Sequence, residues 1–283
     1  MTLLQILLLA VVQGLAELLP VSSSAHVIVA EKIMGLDPSS PEMTFLLVML
    51  HTGTMLAVLI YFWKRWKILL FTSKSKRQGY LKYLLVATGV TGFVGLAIKT
   101  LIEKTVLSGV PHAEIEQLFG NLPLIAVSLF VVGLIIIYTG SKKSPEKPND
   151  LSISRSARIG AIQGLCLPFR GFSRSGSTIS MGLHLGISRA AAEEFSFALA
   201  VILTPPVILR ELSRLVKSSG AHHLSELSIP TFTPGLIGMV FSFLAGLVAL
   251  KWVSAWLEKG RWKFFGYYCL AASVGVMLVH QNL

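Results

Sequence analysis

The chain has 283 residues, of which 53% are hydrophobic and only 14% are charged. Soluble globular domains carry about 25% charged residues, so this composition excludes an ordinary soluble domain and indicates an integral membrane protein. The formal net charge of +11 does not indicate a nucleic-acid-binding protein, because the basic residues lie in short loops between apolar segments. Cys166 and Cys269 show no metal-ligand spacing and predict no disulfide framework.

The apolar segments predict an all-α membrane protein. An α-helix needs about 20 residues to cross a hydrocarbon core of about 30 Å. Six stretches satisfy this requirement, near residues 43–62, 83–101, 122–140, 195–212, 233–251 and 264–281. Two further apolar regions, 2–34 and 157–187, are interrupted by proline, glycine and serine. We expect each of these to form a re-entrant pair of half-helices that meet at a polar turn.

The first interrupted region carries several polar groups between Gln13 and His26. In lipid, a carboxylate and a broken backbone are both costly unless a partner satisfies them. The carboxylate here is Glu17, and the candidate partners are Arg174 or a divalent cation. Gln13 lies one helical turn before Glu17, on the same helical face. The alternative interpretation is a plain helix end that is capped by the serines Ser22–Ser24.

The histidines differ in the roles that their positions suggest. His26 follows Ser23 by three residues, and this spacing suits a general base or a nucleophile as well as a simple helix cap. His51 lies within the first predicted span and is a weaker candidate. His222 and His223 lie in a loop, where we expect solvated side chains rather than metal ligands.

The loops predict which side of the membrane they occupy. Loops 63–82, 141–158 and 251–263 are rich in lysine and arginine, which predicts a cytoplasmic position. In loops 35–42 and 102–121 the charged residues are mostly acidic, so these loops are expected outside. The two interrupted regions then enter the membrane from opposite faces.

Residues Pro168 to Thr178 form the polar turn of the second interrupted region. Glycines permit close backbone approach, and hydroxyls with amide N–H groups at the start of a helix form an anion-binding site. Arg174 adds a planar set of donors that suits phosphate oxygens. Together with Ser22–Ser24 and His26, this turn predicts a phosphoryl-transfer site. The alternative is that serine and glycine only ease helix packing in lipid.

The two interrupted regions repeat one pattern. Gln13-Gly-Leu recurs as Gln163-Gly-Leu165, and each copy is followed by a proline and a serine cluster. The offset of about 150 residues is half of the chain. We therefore predict a single transmembrane domain, 1–283, built from inverted-topology repeats at about 1–140 and 155–283. The two turns are expected to be in contact and to face a cavity that opens outward.

These motifs resemble those of the undecaprenyl-diphosphatase family, also called the bacitracin-resistance protein family, and the likeness covers essentially the whole chain. The first family motif is matched by Gln13, Glu17 and Pro20-Val-Ser-Ser-Ser-Ala-His26. The second is matched by Gly171-Phe-Ser-Arg-Ser-Gly-Ser-Thr178, and the Glu-Phe-Ser-Phe that commonly follows stands at Glu194–Phe197.

The resemblance implies a membrane phosphatase that converts undecaprenyl diphosphate to undecaprenyl phosphate, recycles this carrier lipid for peptidoglycan synthesis and confers bacitracin resistance. It also implies the bacterial inner membrane, a site facing the periplasm, a homodimer and stimulation by a divalent cation such as Mg²⁺ or Ca²⁺, with no organic cofactor. Carried over by position, the catalytic residues are Glu17, Ser23, His26 and Arg174. Ser173, Ser175 and Thr178 line the phosphate pocket by the same carry-over. From the residues of the two turns themselves we add Ser22, Ser24, Arg170 and Gly176 as phosphate-binding candidates, and Glu17 and Gln13 as candidate metal ligands.

Three positions depart from the family pattern. Arg170 stands where proline is usual, Ala25 replaces the usual glycine, and Gln13 is the uncharged form of a position that is often glutamate. Arg170 either offers a second cation to the diphosphate or extends its side chain to the membrane interface. Gln13 lacks a carboxylate that a cation would use. No proposed catalytic group is missing, so we expect activity.

The sequence leaves the nucleophile and the rival functions open. Ser23 with His26 as base, His26 itself, or water are the alternatives, and we favour Ser23 because an adjacent base activates a hydroxyl. A flippase for polyprenyl phosphate is the rival function, since broken helices that meet at the midplane are a transporter architecture. A non-catalytic homologue is the third alternative.

Overall fold

The computed structural model describes residues 1–37, 40–108, 115–142, 147–219 and 229–282. Within these ranges the chain forms ten α-helices and one short 3₁₀-helix, which confirms the predicted all-α class. The α-helices are α1 (Leu3–Leu18), α2 (Ser23–Ile33), α3 (Pro41–Phe71), α4 (Lys74–Thr105), α5 (Leu122–Gly140), α6 (Ile153–Cys166), α7 (Arg174–His184), α8 (Arg189–Ser219), α9 (Ile229–Glu258) and α10 (Lys263–Asn282). The 3₁₀-helix is Ile115–Leu118.

Six of these helices are long and apolar enough to cross a membrane, which confirms the six predicted spans. The spans are Met43–Phe71, Lys74–Thr105, Leu122–Gly140, Arg189–Arg210, Thr233–Glu258 and Lys263–Asn282. On α4 the large apolar side chains of Leu85, Phe93 and Leu96 are 73%, 75% and 66% exposed, as expected for a surface that faces lipid.

The predicted loop at 63–82 is wrong in its secondary structure. α3 continues to Phe71 and α4 begins at Lys74, so almost all of this basic segment is helical. Lysine and arginine are good helix formers, and the backbone hydrogen bonds therefore continue where the apolar stretch ends. The helix that contains the predicted span 195–212 also extends further than expected, because α8 reaches Ser219. Residues 220–228 lie outside the described residues.

The two interrupted regions form two pairs of short helices. We call α1, its turn and α2 the first hairpin, and α6, its turn and α7 the second hairpin. Their helices have 16, 11, 14 and 11 residues. At about 1.5 Å per residue, none of them spans a hydrocarbon core of about 30 Å. Each hairpin is therefore a pair of half-helices, as predicted.

The first helix of each hairpin packs closely against a long helix from the other half of the chain. α1 lies against α9, and α6 lies against α4. A Cβ added at Gly14 would lie 2.6 Å from the Ser242 carbonyl oxygen, and one at Gly164 would lie 2.8 Å from the Thr91 carbonyl oxygen. Only glycine permits such an approach. The packing is reciprocal between the halves, while the proposed repeat boundaries stay a prediction.

The main hydrophobic core supports the first turn. Phe62, Phe195 and Trp262 are almost fully buried in this core. Leu19 and Val21 of the first turn belong to the same cluster. The turn is therefore held in the same core as side chains of α3 and α8 and as Trp262, and the polar side chains on it start from a defined position.

Candidate active site

The first turn places Ser23 beside Glu17. Ser22 caps α2, since its Oγ accepts a hydrogen bond from the Ala25 N–H at 3.4 Å. Ser22 has a φ of 68°, a conformation that costs about 1–3 kcal/mol for a residue other than glycine. Strained backbone of this kind persists where the surroundings hold it, and it is common at functional sites. As a result, only a short turn separates the end of α1 from Ser23 at the start of α2.

Glu17 is the centre of the polar contacts between the hairpins. Its Oε2 accepts a hydrogen bond from Ser23 Oγ at 2.5 Å and from Gln13 Nε2 at 3.3 Å. Its Oε1 pairs with Nη2 of Arg174 at 3.0 Å, and the side chains of both ion-pair partners are 19% exposed. Of the two candidate partners for this carboxylate, Arg174 is the one that the structure shows.

The second turn meets the first directly. Ser173 caps α7, because its Oγ accepts a hydrogen bond from the Gly176 N–H at 3.1 Å. Ser175 Oγ donates to the Leu19 carbonyl oxygen of the first turn at 3.3 Å. With the Glu17–Arg174 ion pair, this bond confirms the predicted contact between the two turns.

Arg174 retains a free donor at this contact. Within the described part of the chain, its Nη1 is buried and has no hydrogen-bond partner. A buried donor without an acceptor costs about 1–3 kcal/mol, so such groups usually meet a ligand or water. An anionic oxygen is the ligand that a guanidinium prefers.

Two adjoining cavities open at the contact between the hairpins. The smaller one, which we call the reactive cavity, measures about 200 Å³ and is lined by Glu17, Ser22, Ser23, Ser24, His51, Arg170, Ser173, Arg174 and Ser175 among its polar residues. The larger one, the apolar cavity, measures about 480 Å³ and has a mostly apolar wall that includes Val27, Ile28, Leu47, Val48, Val207 and Ile208. Both cavities share Ser23, Ser24, His51, Arg170 and Val207.

Arg170 lies where the two cavities meet. Its guanidinium lies over the Phe119 ring, 4.3 Å from the ring centroid. The side chain lines both cavities, and the choice between its two alternative roles stays a prediction. Gly176 and Thr178, in contrast, lie in the packing of α7. Thr178 Oγ1 shares a hydrogen bond of 2.6 Å with Ser196 Oγ of α8.

His26 lines neither of the two cavities. Its Nδ1 donates to the Ser22 carbonyl oxygen at 2.7 Å, and its Nε2 bonds to the Tyr268 hydroxyl at 2.8 Å. The imidazole and the Tyr268 ring are stacked, with their centroids 5.6 Å apart. In this arrangement Glu17, and not His26, contacts the Ser23 hydroxyl. His26 holds the strained Ser22 carbonyl in place, and its catalytic role stays a prediction.

Gln13 and Glu17 do not by themselves form a metal site. Gln13 turns its amide nitrogen towards Glu17, and both carboxylate oxygens of Glu17 already accept hydrogen bonds. In the described ranges, no group of three His, Cys, Asp or Glu side chains is arranged to hold a metal ion. The protein supplies one carboxylate here, which is fewer oxygen ligands than a resident Mg²⁺ or Ca²⁺ requires.

Sequence reasoning missed Tyr268 and underrated His51. Tyr268 contacts His26 across 242 residues of sequence. In the sequence alone it is one more aromatic residue of a predicted membrane span. His51 had one signal, since a histidine within an apolar span is costly and often functional. Glu31, which lines the apolar cavity and is 2% exposed, was also passed over.

Sequence comparisons agree with this geometry. The family model described as bacitracin resistance protein BacA matches residues 6–275. The chain belongs to this family. It is 57% identical to undecaprenyl-diphosphatase 2 of Acinetobacter baylyi over 98% of each chain. It is 31% identical to undecaprenyl-diphosphatase of Porphyromonas gingivalis, over 99% of this chain and 96% of that protein. The Bdellovibrio bacteriovorus undecaprenyl-diphosphatase is 28% identical, with 99% and 96% covered.

Family membership and geometry converge on the same residues. The two motifs that the sequence shares with the BacA family lie on the two turns, and these turns form one contact through Glu17 and Arg174. The match covers both hairpins apart from the first three residues of α1, and all six spans apart from the last residues of α10. The protein is therefore a multi-pass membrane enzyme with a polar site between its two hairpins.

Proposed function

We propose that this protein is an undecaprenyl-diphosphatase, a membrane hydrolase that removes the terminal phosphate from undecaprenyl diphosphate. The observation that carries the proposal is the Ser23–Glu17–Arg174 chain of contacts, with a hydrogen bond of 2.5 Å within the first hairpin and one of 3.0 Å between the two hairpins. It combines a hydroxyl, an acceptor for its proton and a cation for phosphate. The product, undecaprenyl phosphate, is the carrier lipid of peptidoglycan synthesis, and its recycling accounts for bacitracin resistance.

The terminal phosphate binds in the reactive cavity. Nη1 of Arg174, which is buried without a partner in the described chain, donates to one of its oxygens. Ser22, Ser24 and Arg170 line the same cavity and supply further donors. Phosphoryl transfer depends mostly on positioning and on stabilising charge, and these groups provide both.

Ser23 is the nucleophile in this mechanism, and Glu17 is its base. The Ser23 hydroxyl already donates to Glu17 Oε2. As Ser23 Oγ bonds to the terminal phosphorus, its proton passes to Glu17 and the bridging P–O bond breaks. The phosphoserine is then hydrolysed by water, which releases inorganic phosphate and restores the serine.

The apolar cavity suits the lipid end of the substrate. It adjoins the reactive cavity through Ser23, Ser24 and Arg170, and its volume is about 480 Å³. Its wall includes Val27, Leu47 and other aliphatic side chains. Because a prenyl chain enters this cavity from equally apolar lipid, it gains little hydrophobic free energy there, and the cavity serves to position the first part of the chain while the rest stays in the bilayer.

The cation is proposed to arrive with the substrate. Mg²⁺ is commonly held by one or two carboxylates together with substrate phosphates, and Glu17 with Gln13 beside it is the nearest such group here. A requirement for Mg²⁺ or Ca²⁺ therefore reflects the cation-bound diphosphate. We further propose the bacterial inner membrane, a site open to the periplasm and a homodimer, which the family resemblance and the distribution of basic loops support.

Phosphate release from undecaprenyl diphosphate by the purified protein in detergent tests this function. Arg174→Ala is expected to reduce kcat by about 10²–10³-fold, because it removes a preorganised donor to the phosphate. Arg189→Ala is the matched control, since this arginine bonds the Glu258 carbonyl oxygen away from both cavities. Equal release by the wild type and Arg174→Ala would overturn the site. A flippase would release no phosphate in any variant and would move labelled lipid across vesicles.

A further inference from the structure

His51 on α3 is a titratable side chain that lines both cavities and that the mechanism above does not use. Ser23, Ser24 and Arg170 share this position. His51 therefore lies at the junction of the two cavities, where a bound diphosphate passes from its terminal phosphate to its lipid phosphate.

The imidazole of His51 is held in a defined orientation. Its Nδ1 lies 2.8 Å from the Leu47 carbonyl oxygen, one helical turn earlier. A carbonyl only accepts hydrogen bonds, so Nδ1 carries a proton. Nε2 is then the nitrogen that is available to a ligand, as a donor when protonated and as an acceptor when not.

The position of His51 contrasts with that of His26. Both nitrogens of His26 have protein partners, Ser22 and Tyr268, and its ring lines neither cavity. His51 is half-buried, and among the described residues its hydrogen bond is the one from Nδ1 to its own helix. Of the two histidines nearest the site, His51 is the one that meets the substrate space.

We propose that His51 is a further catalytic residue, which protonates the leaving lipid phosphate and later activates water. The proposal rests on the proposed function, because it names a role in that reaction. The bridging oxygen between the two phosphates is the atom that gains negative charge as the P–O bond breaks. A proton donor at the junction of the two cavities is placed to neutralise this oxygen.

The proton transfers balance over the two steps. In the first, Ser23 Oγ bonds to the terminal phosphorus and gives its proton to Glu17, while the bridging oxygen keeps the bond's electron pair and takes the Nε2 proton of His51. In the second, water attacks the phosphoserine and gives its proton to Nε2. The Ser23 Oγ–P bond breaks, and Oγ recovers its proton from Glu17. Both side chains return to their starting states, and the products are prenyl phosphate and inorganic phosphate.

Chemical rescue with imidazole tests this role. His51→Ala is expected to lower kcat for undecaprenyl diphosphate by about 10²–10⁴-fold with KM nearly unchanged, which is the usual contribution of general acid–base catalysis. Added imidazole should restore a large part of this loss in a saturable way, because it enters the space that the ring has left. Pyrazole has a similar shape and is a far weaker base, so it should restore nothing.

Two further variants make the result decisive. His51→Gln should be as slow as His51→Ala but insensitive to imidazole, because the amide fills the space and transfers no proton. His184→Ala is the matched control: this histidine contacts Lys142 at the far end of α7, and its loss should change neither kcat nor the response to imidazole. If His51→Ala does not fold, His51→Gln decides the question.

Three outcomes would overturn the proposal. They are a kcat within a few-fold of wild type in either His51 variant, restoration by pyrazole as complete as by imidazole, and a slow His51→Ala that imidazole does not restore. A wild type that releases no phosphate would instead overturn the proposed function itself.

Discussion

The first hairpin presents a carboxylate and a nucleophile to the cavity, whereas the second hairpin presents the cationic donors. Glu17 and Ser23 come from the first, and Arg174 with the capped start of α7 comes from the second. Both hairpins carry the same Gln-Gly-Leu pattern and the same serine-capped second helix. Similar backbones have therefore been given opposite chemistry, and the site exists only where the two meet.

The two glutamines show how this division arose from equivalent positions. Gln13 donates to the Glu17 carboxylate, at 3.3 Å. Gln163 donates to Thr91 Oγ1 of α4, at 3.0 Å, and is fully buried. One glutamine positions a charged group, while the other ties a half-helix to a membrane span. The same residue type thus serves chemistry in one hairpin and packing in the other.

Replacing one serine in the turn of each hairpin should separate the hairpins most strongly. Ser23→Ala is expected to lower phosphate release by about 10⁴-fold, because it removes the nucleophile. Ser173→Ala removes the cap of α7, which costs about 1 kcal/mol of stability, and should lower the rate by no more than about tenfold. Acid-quenched reactions with labelled substrate should show phosphoserine in the wild type only at Ser23. Similar losses in both variants would mean that the hairpins are not divided in this way.

The glutamine pair gives a smaller contrast. Gln13→Leu removes a hydrogen bond to a carboxylate, worth about 1.5–3 kcal/mol, and should reduce kcat/KM by about 10–100-fold. Gln163→Leu should leave kcat/KM within about threefold of wild type, because Gln163 lies away from both cavities. Steady-state kinetics on both variants makes the comparison, and their melting temperatures in detergent are measured to show that both are folded. A larger loss for Gln163→Leu would reverse the assignment of the two roles.

Thr178→Val should have the smallest effect, although Thr178 belongs to the second motif. Its hydroxyl bonds Ser196 and the Arg174 carbonyl oxygen and does not line either cavity. The loss of these bonds should lower the free energy of unfolding by about 1 kcal/mol and leave kcat nearly unchanged. Thermal unfolding and phosphate release check the two parts. A kcat reduced by 100-fold would place Thr178 at the phosphate after all.

Much of this arrangement could be predicted from the sequence, because lipid penalises unsatisfied polar groups. Glu17 needed a partner, and Arg174 was one of two candidates on that ground alone. The apolar stretches likewise predicted the six spans, and the repeated Gln-Gly-Leu pattern predicted that the two turns meet.

The direction of individual side chains could not be predicted. His26 is three residues from Ser23, but the turn at Ser22 directs its ring to Tyr268 and leaves Glu17 at the serine hydroxyl. The ends of the helices could not be predicted either, since α3 continues through the basic residues that follow its apolar stretch and ends only at Phe71. Both features depend on contacts between residues far apart in the chain or on local backbone strain, which composition and spacing do not record.

A double-mutant cycle across the hairpins tests the central claim most directly. Glu17→Gln, Arg174→Gln and the double variant are compared in kcat/KM for undecaprenyl diphosphate, with labelled substrate for sensitivity. Residues that act as one unit are strongly non-additive, so the double variant should be about as slow as the slower single variant. A double variant that loses the product of the two single losses would show that Glu17 and Arg174 act independently, and would contradict a single site built from both hairpins.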